Sequence, residues 1–136
     1  MNNPQEGDMR MKIAIPIRNK DPESQVDERF GRAKYFALFD EATGSFDYAS
    51  NDQNLSLPQG AGIQTAKNIV ETGAKVLIAK NVGPKAFELL RQAGIEMYLC
   101  EHPVTVKEAI ELFKKGTLTK LENAFSSFVS VPFLKS

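Results

Sequence analysis

The stretch KVLIAKNVGPKAFELL, residues 75–90, decides the fold. Its beginning, Lys75 to Lys80, holds a short apolar run that is typical of a strand buried on both faces. Pro84 suits the first position of a helix, and Gly83 suits the cap before it. Apolar residues then recur at i, i+3, i+4 and i+7 along one helix face: Ala86, Leu89, Leu90 and Ala93. The stretch therefore predicts a buried strand that leads directly into a helix.

The same pattern continues on both sides of this unit. Before it, apolar residues between Ile63 and Val70 have helical spacing, and Gly73 stands where a C-terminal cap belongs. After it, Ile95 to Cys100 reads as a strand, and Thr105 to Glu108 forms a capping box that opens another helix. This βαβα repeat requires right-handed crossovers and a parallel sheet.

The first half of the chain adds three strands. Lys12–Ile17 is nearly all apolar, so we expect a buried strand, with Pro16 marking its end or an irregularity. Tyr35–Asp40 and Phe46–Ser50 are joined by residues 41–45, whose Gly44 suits a hairpin turn. The sequence thus predicts a mixed sheet of about five strands with helices on both faces, a three-layer α/β/α domain.

Composition limits the classes of function. At 136 residues, the chain is the size of one domain, and 17 basic residues balance 17 acidic residues. This balance gives no global field for binding nucleic acid or an acidic membrane. There is no apolar stretch of membrane-spanning length, and the polar start lacks the apolar core of a signal peptide. With a single cysteine, Cys100, we expect a cytoplasmic protein without an internal disulfide.

The chain divides into three parts. Residues 1–10 are polar and read as a flexible extension, and residues 11–120 form the α/β domain. Residues 121–136 are too apolar for a free tail. We expect this last segment to pack back on the domain, as terminal segments often do, or to contact a second copy or a partner protein.

A long polar connection, residues 18–34, joins the first two strands and is predicted to be the working loop. Glycine-bearing turns at residues 59–62 and 81–84 open two helices at the same carboxyl edge of the sheet, where open α/β sheets bind ligands. Free helix-start amides and nearby cations favour an anionic ligand. The candidate binding residues are Arg29, Phe30, Gly31, Arg32, Gly60, Gly62, Asn81 and Gly83.

Cys100 and His102 are the candidate metal ligands. They stand two residues apart at the end of a predicted strand, so both side chains point the same way if the strand continues. Two ligands do not make a structural zinc site. A cysteine at a strand end, such as Cys100, is most often a packing residue, and a solvent-exposed turn beside Pro103 equally explains His102.

The chain resembles the dinitrogenase iron–molybdenum cofactor biosynthesis family over about residues 11–121. The matching motifs are Met11–Pro16, Phe30–Ala33 with Tyr35 and Phe36, Asn51, Gly60–Gly62, Asn81–Phe87, Gly94 and Ile95, and the helix ending at Gly116. The resemblance implies ribonuclease-H-like topology and transient, non-catalytic carriage of an anionic iron–sulfur or iron–molybdenum-type cluster. Family members often have histidine where this chain has Arg29, which cannot ligate a metal but can pair with an anion.

Two other functions compete with this one. The first is a regulatory domain that binds phosphate or a nucleotide, which the same basic edge allows. The second is a metal-dependent hydrolase, which needs carboxylates clustered on the sheet. Because Lys12–Ile17 contains no acid and the chain holds one histidine, we expect a protein that is not an enzyme.

Overall fold

The computed structural model describes residues 11–51, 60–101 and 104–122. These residues form six strands, three α-helices and one short 3₁₀ turn. The strands are β1 (Lys12–Ile17), β2 (Tyr35–Asp40), β3 (Ser45–Ser50), β4 (Val76–Ala79), β5 (Glu96–Leu99) and β6 (Thr119–Lys120). The helices are α1 (Ala61–Glu71), α2 (Pro84–Gln92) and α3 (Val106–Lys114), and the 3₁₀ turn is Phe30–Arg32.

The strands form one mixed sheet in the order β3-β2-β1-β4-β5-β6. β4 pairs in parallel with both β1 and β5, while the β1–β2, β2–β3 and β5–β6 pairs are antiparallel. The predicted mixed α/β sheet is confirmed, but the strand number of about five was one too low. The missed strand, β6, consists of two exposed residues without apolar alternation, so no sequence pattern indicated it.

The sheet separates two apolar cores. On one face, α1 and α2 pack through residues such as Ile69 and Leu90. On the other face, α3 packs through Val106, Ala109 and Ile110 against the isoleucines of β1. The three layers are therefore unequal, because two helices cover one face and one helix covers the other.

The predicted helix starts and the role of Pro16 have clear structural counterparts. In α3, the Thr105 hydroxyl accepts a hydrogen bond from the backbone N–H of Glu108, and the Glu108 carboxylate accepts one from the Thr105 N–H, at 3.2 and 2.9 Å.

Pro16 lies within β1 opposite Phe36, but the parallel pairing of β1 with β4 involves only Ile13 and Ala14. The missing N–H of Pro16 therefore falls beyond the parallel ladder.

Both predicted terminal segments lie largely outside the described residues. Nothing is described of residues 1–10, and only Leu121 and Glu122 of the apolar segment are described. Leu121 is buried, and its N–H donates to the Met97 carbonyl oxygen at 2.8 Å. No helix in the part of the chain that the structure describes is long and apolar enough to cross a membrane.

Candidate functional site

The long connection between β1 and β2 is held across the carboxyl edge of the sheet by backbone hydrogen bonds. The Asp27 N–H donates to the Pro16 carbonyl oxygen at 2.7 Å, and the Val26 N–H donates to the Val104 carbonyl oxygen at 3.0 Å. The Val106 N–H donates in return to the Ser24 carbonyl oxygen at 2.9 Å. The loop is thus tied to β1 and to the start of α3, which fixes the position of the residues that follow.

Phe30 anchors the next part of the loop. It begins the 3₁₀ turn, and its side chain is buried with only 3% of its surface exposed. Its ring meets that of Phe36 edge to face, with centroids 5.6 Å apart. Arg29, one residue earlier, forms a parallel bridge with Asn81 just beyond β4. This bridge attaches the loop to the end of β4.

Gly31 brings the loop into direct contact with the start of α1. A Cβ placed on Gly31 would lie 3.0 Å from the Gly62 Cα and 3.1 Å from the Gly62 nitrogen, closer than ordinary van der Waals contact. A side chain therefore does not fit at Gly31 without displacing backbone. This close approach explains why the turn carries glycine between two larger residues.

A buried polar network fixes the same contact from beneath. The Asn51 side-chain amide donates to the Ala33 carbonyl oxygen at 2.9 Å, and the Thr65 hydroxyl lies 3.2 Å from the Asn51 amide oxygen as donor. The Thr65 hydroxyl also lies 3.5 Å from the Gly31 carbonyl oxygen. Asn51 and Thr65 are almost fully buried, so the network joins the loop, the end of β3 and α1 in a place that water does not reach.

These elements enclose an open depression with a volume of about 650 Å³. Its size falls in the range of small-ligand pockets. Three segments line it: the 3₁₀ turn with Arg29, the start of α1, and the start of α2 with Asn81 before it. The lining residues are Arg29, Phe30, Gly31, Gly60, Gly62, Ile63, Asn81, Gly83, Pro84, Lys85 and Ala86.

Both helices present uncapped starts to the depression. Gly60 precedes α1 in a left-handed conformation with φ of 83°, and Gly83 precedes α2; neither supplies a side-chain capping hydrogen bond. The first backbone N–H groups of an α-helix have no partner within the helix. Two helix starts thus direct amide donors and partial positive charge at one place.

Arg29 is fastened to a buried carboxylate. Asp27 has 1% of its side chain exposed, and one of its oxygens accepts from the Arg29 backbone N–H at 3.0 Å and from Nε at 3.1 Å. The other oxygen accepts from Nη2 at 3.0 Å. The Arg29 side chain remains 63% exposed. This two-pronged pairing orients the guanidinium at the rim of the depression.

The pairing also shifts the pKa values of both groups. Burial raises the pKa of the Asp27 carboxyl, but hydrogen bonds from the Arg29 side chain and backbone, with the charges of Arg29 and Arg18, outweigh burial. The pKa of Asp27 therefore lies below its ordinary value of 3.8. The hydrogen bond to Asp27 raises the pKa of Arg29 in turn. Asp27 thus stays charged at neutral pH.

Ordinary metal ligands do not line the depression. Among its described lining residues, none is histidine, cysteine, aspartate or glutamate. Nor do the residues in ranges 11–51, 60–101 and 104–122 contain a group of three such side chains able to hold a metal ion. A ligand here meets backbone amides, two cations, the Asn81 amide and apolar surface.

Cys100 lies at a different place. It is buried on the α3 face of the sheet and lines a cavity of about 50 Å³ with Arg18, Glu28 and Lys80 among its neighbours. That volume admits a few water molecules at most. His102, the other predicted metal ligand, lies outside the described residues, so metal binding by this pair stays a prediction.

Comparison with known proteins identifies the family. The model of the family described as "Dinitrogenase iron-molybdenum cofactor" matches residues 11–116. The chain belongs to this family. The match includes all three segments that line the depression, so the predicted resemblance is confirmed.

Individual proteins are also similar to this chain over most of their length. An uncharacterized protein of Methanocaldococcus jannaschii is 32% identical over 114 residues, which cover 82% of this chain and 92% of that protein. The apo form of the orange protein from Desulfovibrio gigas has a TM-score of 0.80 and 35% identity, covering 83% of this chain and 94% of that one. A NifB-like protein of the DUF35 family from Thermotoga has a TM-score of 0.72 and 38% identity, covering 82% and 93%.

The structure brings together seven of the eight residues that the sequence singled out for binding, as lining residues of one depression. Arg32 is different, because it ends the 3₁₀ turn with its side chain exposed and does not line the depression. Sequence reasoning missed Asp27 and Thr65, which support the site from inside. The spacing of Asp27, two residues before Arg29, could have indicated their pairing. No sequence pattern around Thr65 indicated its buried hydrogen bonds.

Proposed function

We propose that this protein is a carrier that binds an anionic iron–sulfur or iron–molybdenum-type cluster, or its precursor, in the depression and releases it unchanged. One observation carries the proposal: two uncapped helix starts and the Phe30–Arg32 turn converge on a single open depression in a member of this family. The orange protein, whose fold is similar to that of this chain, was solved in an apo form.

Charge favours an anionic cargo. The helix starts contribute partial positive charge, and the side chain of Lys85 adds a full positive charge at the rim. The charge of Arg29 is balanced by the Asp27 carboxylate, but its exposed guanidinium still offers N–H donors. No acidic residue among the described lining residues opposes Lys85. An anion that bears several acceptor atoms, such as a sulfide-bridged cluster, can accept hydrogen bonds from several of these donors at once.

The lining also explains why the cargo would be held reversibly. A protein thiolate or imidazole bonded to iron must be displaced before a cluster leaves, whereas hydrogen bonds and ion pairs exchange with water. The described lining residues offer hydrogen-bond donors and no side chain that ordinarily coordinates iron. We therefore propose that binding uses no protein–metal bond. This mode suits a carrier better than an enzyme, and a cytoplasmic, reducing environment suits such a cargo.

The experiment is anaerobic reconstitution with ferrous iron and sulfide, with and without molybdate, followed by the visible spectrum after desalting. Lys85→Glu reverses a charge at the depression, and an acid near a helix start does not harm the helix. Lys67→Glu is the matched control, because Lys67 is an exposed residue of α1 that does not line the depression. We expect cluster absorption in the wild type and in Lys67→Glu, and little in Lys85→Glu.

Phosphate and ATP are the competing probes in the same assay. They share the negative charge of the proposed cargo, and the helix starts would accept them too. If either binds in a manner that Lys85→Glu weakens, while iron and sulfide leave no absorption, the protein is a phosphate- or nucleotide-binding domain and the cluster proposal is wrong.

A further inference from the structure

The α3 face of the sheet carries an apolar groove that no described element fills. The groove has a volume of about 370 Å³ and runs between α3 and the β2–β3 hairpin. One wall is a face of α3 formed by Lys107, Ile110, Glu111 and Lys114, and the other is formed by Phe39, Gly44 and Phe46. It arises because one helix covers this face, whereas two helices cover the other.

Aromatic side chains extend the groove along the edge strand. Phe46 is half-buried, and the centroid of its ring lies 5.0 Å from that of Phe39. It also stacks on Tyr48, with centroids 6.4 Å apart and ring planes 9° apart. Phe46 and Tyr48 both belong to β3, an edge strand whose outer side has no neighbouring strand among the described residues. Such a row of aromatic rings is typical of a surface that another segment covers.

The direction of the chain at its last described residue points to the occupant. Because β6 runs antiparallel to β5, and the Leu121 N–H donates to Met97, the chain at Glu122 heads toward the beginning of β5. The β2–β3 turn lies at this same end of the sheet, since Asp40 pairs with Lys12 at the beginning of β1. β1 and β5 both run parallel to β4.

The remaining chain is long enough to reach the groove. From β6 to β3 there are five strand spacings, or about 24 Å. About eight extended residues, 123–130, span about 26 Å. The residues that then arrive include Val131, Phe133 and Leu134, three apolar side chains within four positions.

We infer that residues 131–134 of this chain dock in the groove between α3 and the β2–β3 hairpin, and that the segment from 123 to 130 passes along the amino-terminal ends of the strands. The apolar side chains would contact Phe39, Phe46 and Ile110, beside the charged side chains that also line the groove. The Lys114 ammonium, now 5.3 Å from the centroid of the Phe39 ring, would be displaced toward solvent. The inference does not depend on the proposed cargo, because the groove lies on the opposite face from α1 and α2, which line the depression.

Removal of the segment tests the inference. We expect a ¹⁵N-labelled chain ending at Glu122 to show changed amide shifts at Gly44, Phe46 and Ile110 relative to the full chain, with Gly62 and Gly83 unchanged. A flexible tether supplies an effective concentration of order 1 mM, so a peptide of residues 123–136 should bind the shortened chain with Kd below about 1 mM. It should restore the full-chain shifts.

A matched peptide and one further measurement make the result decisive. A peptide with Val131, Phe133 and Leu134 all changed to serine should restore nothing. The inference is overturned if deletion leaves the groove amides unchanged, or if the shifts appear elsewhere. It is also overturned if the groove shifts of the full chain disappear on dilution together with a dimer seen by sedimentation, because the occupant is then a second copy.

Discussion

The loop before β2 rests directly on the first turn of α1, because Gly31 and Gly62 meet backbone to backbone. A Cβ on Gly31 would lie 3.0 Å from the Gly62 Cα. Among the described residues, a Cβ on Gly62 would meet only the Ala86 Cβ, at an ordinary 3.8 Å. The contact is therefore asymmetric. One glycine has no room for a side chain and the other has room for a methyl group.

This asymmetry predicts opposite effects for two matched substitutions. Gly31→Ala should destabilise the protein by about 1–3 kcal/mol, because the added methyl must push backbone aside. Gly62→Ala should be neutral or stabilising by up to about 1 kcal/mol, since alanine favours a helix. Urea unfolding of both variants checks this. Equal losses in the two variants would show that the contact is not as close as described.

The buried hydroxyl of Thr65 gives a second prediction. Thr65→Val keeps the shape but leaves the Asn51 side-chain oxygen without that donor, which should cost about 1–3 kcal/mol. Thr65→Ser keeps the hydroxyl and is the control, with a smaller loss from the missing methyl. Denaturant midpoints compare them. A serine variant as unstable as the valine variant would mean that packing, not the hydrogen bond, decides the effect.

The Asp27–Arg29 pair predicts a pH dependence with a definite sign. The pKa of Asp27 is lowered in the folded protein, so its charge stabilises the fold above its ordinary pKa of 3.8. This stabilisation is lost as the pH falls through the folded pKa below that value. Asp27→Asn should therefore destabilise the protein at pH 7 by about 1–2 kcal/mol, a figure kept small because Arg29 is exposed.

Measuring unfolding free energy from pH 7 down to pH 2.5 checks this prediction. The difference between wild type and Asp27→Asn should shrink as the pH falls below 4. A difference that stays constant over the whole range would contradict the account, because it would show that the charge of Asp27 contributes nothing.

Cys100 offers a test of where the cargo lies. Because this thiol lines a small cavity on the α3 face, Cys100→Ala should leave cluster absorption after reconstitution unchanged. The variant should lose about 1 kcal/mol of stability from the vacated volume. Absorption that disappears in a folded Cys100→Ala protein would favour the prediction that Cys100 is a metal ligand and would place the cargo outside the depression.

The sequence indicated the fold well because each long element carried its own signal. The run Lys75–Lys80 and the Gly83–Pro84 start predicted β4 and α2 at nearly their observed bounds. β6 was missed because its pairing depends on the position of β5 and not on its own two residues. Helix-start glycines could be predicted to converge, since carboxyl ends of parallel strands share one edge.

Three-dimensional contacts decided what the sequence could not. Arg32 has the same residue type as Arg29 and lies three positions on, yet only Arg29 bridges to Asn81 and lines the depression. Spacing alone does not separate them. Cys100 likewise ends a strand at the same edge, but it lies on the other face of the sheet. Which face a strand-end residue occupies depends on register, and a slip of one residue reverses it.

Native mass spectrometry of the protein, purified anaerobically from the cells that express it, tests the central claim most directly. The account predicts an added mass that contains iron and sulfur, that remains in Lys67→Glu and Cys100→Ala, and that is absent from Lys85→Glu. A bound phosphate or nucleotide in its place, or an iron- and sulfur-containing mass that Lys85→Glu retains and Cys100→Ala loses, would contradict it.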